Sequence, residues 1–170
     1  MDLGYPRRFF KTVFLPVETA AVFQRSIDRV LSFPQNPAMQ VTKLLHTRMR
    51  VSDIDQTIRF YTDVLGLEVV ERKTSPRGSH LAFLKVPNSE ELIELASFPP
   101  SGPVKVQEDL VHLAFQVESL DKTIDALKDK GVAITDGPTS SSSGSRFIFI
   151  DAPDGYEIEL IERPPGTALA

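Results

Sequence analysis

Residues 46–58 read HTRMRVSDIDQTI, and residues 112–124 read HLAFQVESLDKTI. Laid over one another at a constant offset of 66, the two stretches share histidine, valine, aspartate, threonine and isoleucine. At an offset of 65, GLEVV (66–70) aligns with GVAIT (131–135), and IEL (93–95) coincides with IEL (158–160). One deletion between the helix and the following glycine accounts for the change. Two copies of one supersecondary unit are the economical explanation of such a period.

Each copy reads in the same order. A strand comes first, LLHTRMRV in one and LVHLAFQV in the other. A helix follows, with Ser52 or Asp53 as the cap in the first copy and Ser119 in the second. Gly66 and Gly131 close these helices, where a left-handed residue costs little. Further strands include HLAFLKV and ELIELAS, then SRFIFID and YEIELIE. The expected fold is α+β, with two tandem βαβββ modules spanning about 42–100 and 108–163. The stretch TSSSSGS (139–145) is expected to be a polar loop, solvated by default and able to act as a lid beside a pocket.

Outside this region, residues 1–41 read as an appended arm and 164–170 as a tail. VETAAVFQRSIDRVLSF (17–33) fits an amphipathic helix, and PQNPAM then interrupts any periodic structure. The chain has 170 residues, 41% hydrophobic and 25% charged, which is ordinary globular composition. A net charge of −4 gives no reason to expect nucleic acid or an anionic membrane as partner. There is no cysteine, which excludes disulfides, thiolate ligands and a cysteine nucleophile. No stretch approaches the run of about 20 apolar residues that spans a bilayer. Pro16 and Glu18 break up the N-terminal apolar stretch that a signal peptide would need, so the expected location is cytoplasmic.

Strand alternation sorts the chemistry-bearing residues. His46, Arg48 and Arg50 share one face of the first strand, while Met49 and Val51 share the apolar face suited to a helix. His112, Ala114 and Gln116 likewise oppose Leu113, Phe115 and Val117. Glu94 lies with Leu92, Ala96 and Phe98, and Glu159 with Glu157 and Ile161. Each copy therefore offers one histidine on its first strand and one glutamate on its last, at matching positions. Two neutral imidazoles and two carboxylates form a divalent-metal set with balancing charge. A lone strand histidine is more often structural, but duplication of all four groups reverses that expectation. The 65 offset places Ser145 against His80, which therefore has no counterpart and is read as an ordinary strand or surface residue.

KLLHTRMRVSDIDQTIRFYTDVLGLEVV, LIELASF, VHLAFQVES and DAPDGYEIELIER closely resemble the corresponding blocks of glyoxalase I (lactoylglutathione lyase), of the vicinal oxygen chelate superfamily. The resemblance covers about residues 43–163. It implies cupped mixed sheets and places metal ligands on His46, Glu94, His112 and Glu159, the four that the repeat had already selected. Arg50 matches an arginine that binds the carboxylate at glutathione's γ-glutamyl end. Phe98 stands where the family usually has a glutathione-contacting asparagine, and Arg146 is the nearest candidate for the glycyl carboxylate.

The implied reaction isomerises the hemithioacetal of methylglyoxal and glutathione to S-lactoylglutathione. It needs one divalent metal per site (Ni, Co or Zn), with Glu159 moving a proton through a metal-stabilised enediolate and Glu94 as the alternative base. The resemblance also implies a homodimer with sites shared between chains, His46 and Glu94 from one and His112 and Glu159 from the other. The rival enzymes are an Fe(II) extradiol dioxygenase, an acyl-thioester epimerase or a lyase using another thiol. The rival outside enzymes is a small-molecule binding or resistance module.

Overall fold

A computed structural model describes residues 40–166; the helix expected over 17–33 lies outside them. Strand β1 (His46–Arg50) runs into helix α1 (Ile54–Arg59), which continues as a π-helical turn over Phe60–Val64. Strands β2 (Glu68–Thr74), β3 (His80–Lys85) and β4 (Leu92–Ser97) follow. The second copy comprises β5 (His112–Val117), α2 (Leu120–Asp129), β6 (Ile134–Ser140), β7 (Arg146–Asp151) and β8 (Glu157–Glu162). The sheets are ordered β1-β4-β3-β2 and β5-β8-β7-β6. In each, the first strand pairs in parallel with the last and the other pairings are antiparallel. The duplicated α+β architecture expected from the repeat is the one observed.

Local chemistry explains the helix boundaries. Asp53, not Ser52, caps α1: its Oδ1 accepts the N–H groups of Asp55 and Gln56, both at 2.9 Å. Ser52 instead joins the modules, donating its N–H to Asp154 Oδ2 at 2.7 Å and accepting the Val104 N–H on Oγ at 2.7 Å. Ser119 caps α2 through the Lys122 N–H. Glu162 reinforces it from the last strand, its Oε2 accepting the Leu120 N–H at 2.6 Å. Gly66 and Gly131 end the helical segments at φ +73° and +69°, the left-handed region where a Cβ is penalised.

One hydrophobic core spans both copies. Met49 and Val51 of β1 are buried with Ile54, Ile58 and Tyr61 of the helical segment and with Leu84, Ile93 and Leu95. In the second copy Leu120 and Leu127 of α2 cover Ile148, Ile150, Ile158 and Leu160. The alternation therefore resolves as expected, with one sheet face under helices and the other carrying His46 and His112. Two further hydrogen bonds tie the copies together: Tyr156 donates to the Arg50 carbonyl at 2.9 Å, and Lys130 Nζ to the Asp63 carbonyl at 2.7 Å.

Two expectations are corrected. Thr139 and Ser140 belong to β6, so the serine-rich segment turns only over 141–145. There Ser145 donates its N–H to Ser141 Oγ at 3.1 Å, and Ser141 donates its own to the Ser145 carbonyl at 2.8 Å. Short hydroxyl side chains bond the nearby backbone, which makes this a closed hairpin turn rather than an open loop. His80 does have a counterpart. It pairs with Ser97 where Arg146 pairs with Glu162, so Arg146 and not Ser145 matches it. The offset returns to 66 across β3 and β7 because irregular β6 takes in one extra residue before Thr139.

Ile148 is fully buried at the centre of the second sheet. Ile148→Ala is expected to cost roughly 2–5 kcal/mol, read as a lower urea midpoint with an unchanged slope.

Candidate metal centre

The parallel ladder between β1 and β4 places His46 opposite Leu92 and Arg48 opposite Glu94. Glu94 thus lies two residues diagonally from His46 on the same face, within reach of its side chain. Its Oε2 is 3.0 Å from His46 Nε2, and its Oε1 is 3.4 Å from Arg48 Nε. The second copy repeats this arrangement. Ala114 stands opposite Glu159, and Glu159 Oε2 is 3.4 Å from His112 Nε2. Glu157 is directly across the ladder from His112, yet the diagonal Glu159 is the carboxylate that meets the ring.

Burial differs sharply within each pair. The histidine side chains are 41% and 47% exposed, whereas Glu94 and Glu159 are only 10% and 15% exposed. Each glutamate is therefore seated in its sheet with an accessible imidazole above it. A phenylalanine completes each half. Phe83, paired with Glu94, stands edge-on to His46 with ring centroids 6.1 Å apart. Phe149, paired with Glu159, stands edge-on to His112 at 5.7 Å. These edge contacts limit rotation of the imidazoles. Phe83 and Phe149 correspond at the same 66 offset that aligned the histidines, so the repeat carried a signal for them. Arg48 carried a weaker one, since only the tertiary register sets it against Glu94.

The remaining expected residues divide. Arg50 lies on the open face, where its Nη2 donates to the Gly102 carbonyl at 2.6 Å. Its Nε is buried and finds no acceptor among the described residues. Such a donor is costly unless something satisfies it. Phe98 follows β4, partly buried, with its ring near Gly78 of the β2–β3 turn. Arg146 does not join the site. It shares the face of Ile148 and Ile150, where it bonds Asp121 of α2 at 2.8 and 3.2 Å. Strand parity explains the miss: Phe147 and Phe149 face the histidine side, so Arg146 faces the helix.

As donors, two imidazole nitrogens and two carboxylates suit a borderline divalent ion. Each copy brings two of them to one point. Among the described residues of one chain, no group of three or more candidate ligands gathers.

Residues 43–160 match the family described as the Glyoxalase/Bleomycin resistance protein/Dioxygenase superfamily. The lactoylglutathione lyase of Haemophilus influenzae is 34% identical over 124 residues, covering 71% of this chain and 92% of that protein. Among solved structures, the trypanothione-dependent glyoxalase I of Leishmania major is 32% identical with a TM-score of 0.59, covering 72% of this chain and 87% of that one. A mutant glyoxalase I of Zea mays is 29% identical with a TM-score of 0.62, covering 71% of this chain but only 45% of that longer one. The resemblance read from the sequence agrees with all three. Among the described residues, no helix is long and apolar enough to cross a membrane.

The Arg146 hydrogen bond, and then its charge, hold the Asp121 carboxyl below the usual carboxylate range. A depressed carboxylate stabilises the fold above its unfolded pKa, and that contribution is lost as pH falls through the folded value. On this exposed surface the effect on stability is small. Arg146→Ala is expected to raise the Asp121 pKa towards its ordinary value in an NMR titration, without altering metal content.

Proposed function

The chain belongs to the Glyoxalase/Bleomycin resistance protein/Dioxygenase superfamily, and from that membership we propose that it is a glyoxalase I-type enzyme. It isomerises the hemithioacetal of methylglyoxal and glutathione to S-lactoylglutathione. The observation that carries this reading is the duplicated histidine–glutamate pair, His46–Glu94 at 3.0 Å and His112–Glu159 at 3.4 Å. Lactoylglutathione lyases among the relatives support it, one of them matched over 92% of its length.

In this reading His46, Glu94, His112 and Glu159 hold one divalent ion, Ni, Co or Zn. When bound, that ion supplies Lewis-acid stabilisation of negative charge on the substrate oxygens. The hard step is removal of a proton from the carbon beside a carbonyl. Glu159 takes that proton and returns it to the adjacent carbon, acting first as base and then as acid. Phe83 and Phe149 keep the imidazoles from turning away, and Arg50 offers its guanidinium charge to a carboxylate at the far end of the thiol. Phe98 puts an apolar ring beside that region, which favours a thiol other than glutathione as the second reading within the same chemistry.

The half-sites belong together across a homodimer, His46 and Glu94 from one chain and His112 and Glu159 from its partner. Two observations support the sharing. No three candidate ligands gather in one chain among the described residues. Both β1 and β5 are edge strands, and the apolar residues entering them, Leu44, Leu45, Leu110 and Val111, are exposed. Free edges of this kind invite pairing or cover by another chain.

Stripping the protein and restoring Ni, Co, Zn or Fe(II) separately tests the reaction. S-Lactoylglutathione is expected from methylglyoxal plus glutathione with at least one of the first three, and no isomerisation with any metal overturns it. Mixing inactive His46→Ala and His112→Ala chains tests the sharing. Random heterodimers carry one intact site of two, so about a quarter of wild-type activity should return. No recovery overturns the shared site.

A further inference from the structure

The two halves agree in histidine, glutamate and phenylalanine but differ in what stands across from the glutamate. Arg48 faces Glu94 on the β1–β4 ladder, and Ala114 faces Glu159 on the β5–β8 ladder. The difference reaches the carboxylate oxygens. In both halves Oε2 is the oxygen nearest the imidazole Nε2. Glu94 then has Arg48 Nε at 3.4 Å from its second oxygen, Oε1. Among the described residues, the only basic side chain paired with Glu159 is His112.

Resting on the assignment of these glutamates as ligands and base, we propose that Arg48 is a positioning residue that holds Glu94 as a fixed ligand and leaves Glu159 as the carboxylate free to carry the proton. A guanidinium is always charged and planar, so it presents a constant partner to one carboxylate oxygen. A charged contact on the second oxygen of a ligating carboxylate orients the first, as outer partners of metal ligands generally do. Glu94 is buried, so turning away from Arg48 would strand a carboxylate with only an imidazole for company. Among the described residues Glu159 has no such tether, which leaves it able to rotate towards a substrate carbon. Arg48 is itself half-exposed, so the pair acts mainly through orientation and adds little stability. The consequence is a division of labour between two carboxylates that the internal repeat makes look equivalent.

Two measurements on the intact dimer test this. The first is cobalt affinity, read by competition with a chelator. Arg48→Ala should bind Co(II) about tenfold more weakly, and Arg48→Lys, which keeps one charged donor, should recover most of that loss. Unchanged affinity in Arg48→Ala, or no recovery in Arg48→Lys, overturns the hold on Glu94. The second measurement gives module two the missing tether. Ala114→Arg should lower kcat at least about tenfold with KM near wild type and cobalt affinity not weakened, while Ala114→Met, of similar reach without charge, keeps its kcat. An equal kcat loss in both, or none in Ala114→Arg, overturns the division of labour. Cobalt affinities in the expected order, in a chain that never isomerises the hemithioacetal, would uphold the role of Arg48 and overturn the reaction proposed above.

Discussion

Each histidine meets its glutamate because the first strand of a module pairs in parallel with the last. Parallel pairing keeps both strands running the same way, so a side chain two residues along one strand lies diagonally beside its partner on the other. His46 reaches Glu94, and His112 reaches Glu159, by the same step. A one-residue slip would send one member to the helix-covered face. The helix between first and second strand makes the parallel return possible, and its apolar side fixes which sheet face is left open. The remaining features of the site hang on that register: the buried glutamates, the phenylalanines at the imidazole edges, and Arg48 opposite one carboxylate only.

The opposite face does separate work. There Glu162 caps α2, and Arg146 binds Asp121 beside it. Both residues neighbour functional ones in sequence, yet strand parity sends them to the helix. Glu159 and Glu162 of one short strand thus serve different ends, because they stand three positions apart, an odd step along the strand. Asp154 and Tyr156, at the turn into that strand, reach back to Ser52 and Arg50 and tie the second module to the first. The strand that supplies a candidate ligand is thereby anchored at both ends.

Duplication made much of this readable in advance. A repeat at fixed offset exposes residues that stand at equivalent places, and His46, Glu94, His112 and Glu159 emerged from it before any geometry. Phe83 and Phe149 are equally repeated, but an apolar residue in a strand carries no chemical flag. Arg146 was chosen by proximity along the chain, and parity at β7 places it elsewhere. His80 stands without a counterpart at the 65 offset because an irregular strand shifts the offset, which an alignment of short blocks does not register.

The sequence by itself determined the two βαβββ units, the cap of the second helix and the terminal glycines, the apolar and open faces of each strand, and the four groups able to bind a metal. All of these follow from local propensity and from the period of two along a strand. Only the tertiary structure decided which residues face one another across a ladder: Arg48 against Glu94, Ala114 against Glu159, a phenyl edge against each imidazole. Register depends on where the chain re-enters the sheet after its helix and bulges. That is a sum over the whole module, which no short stretch of sequence contains.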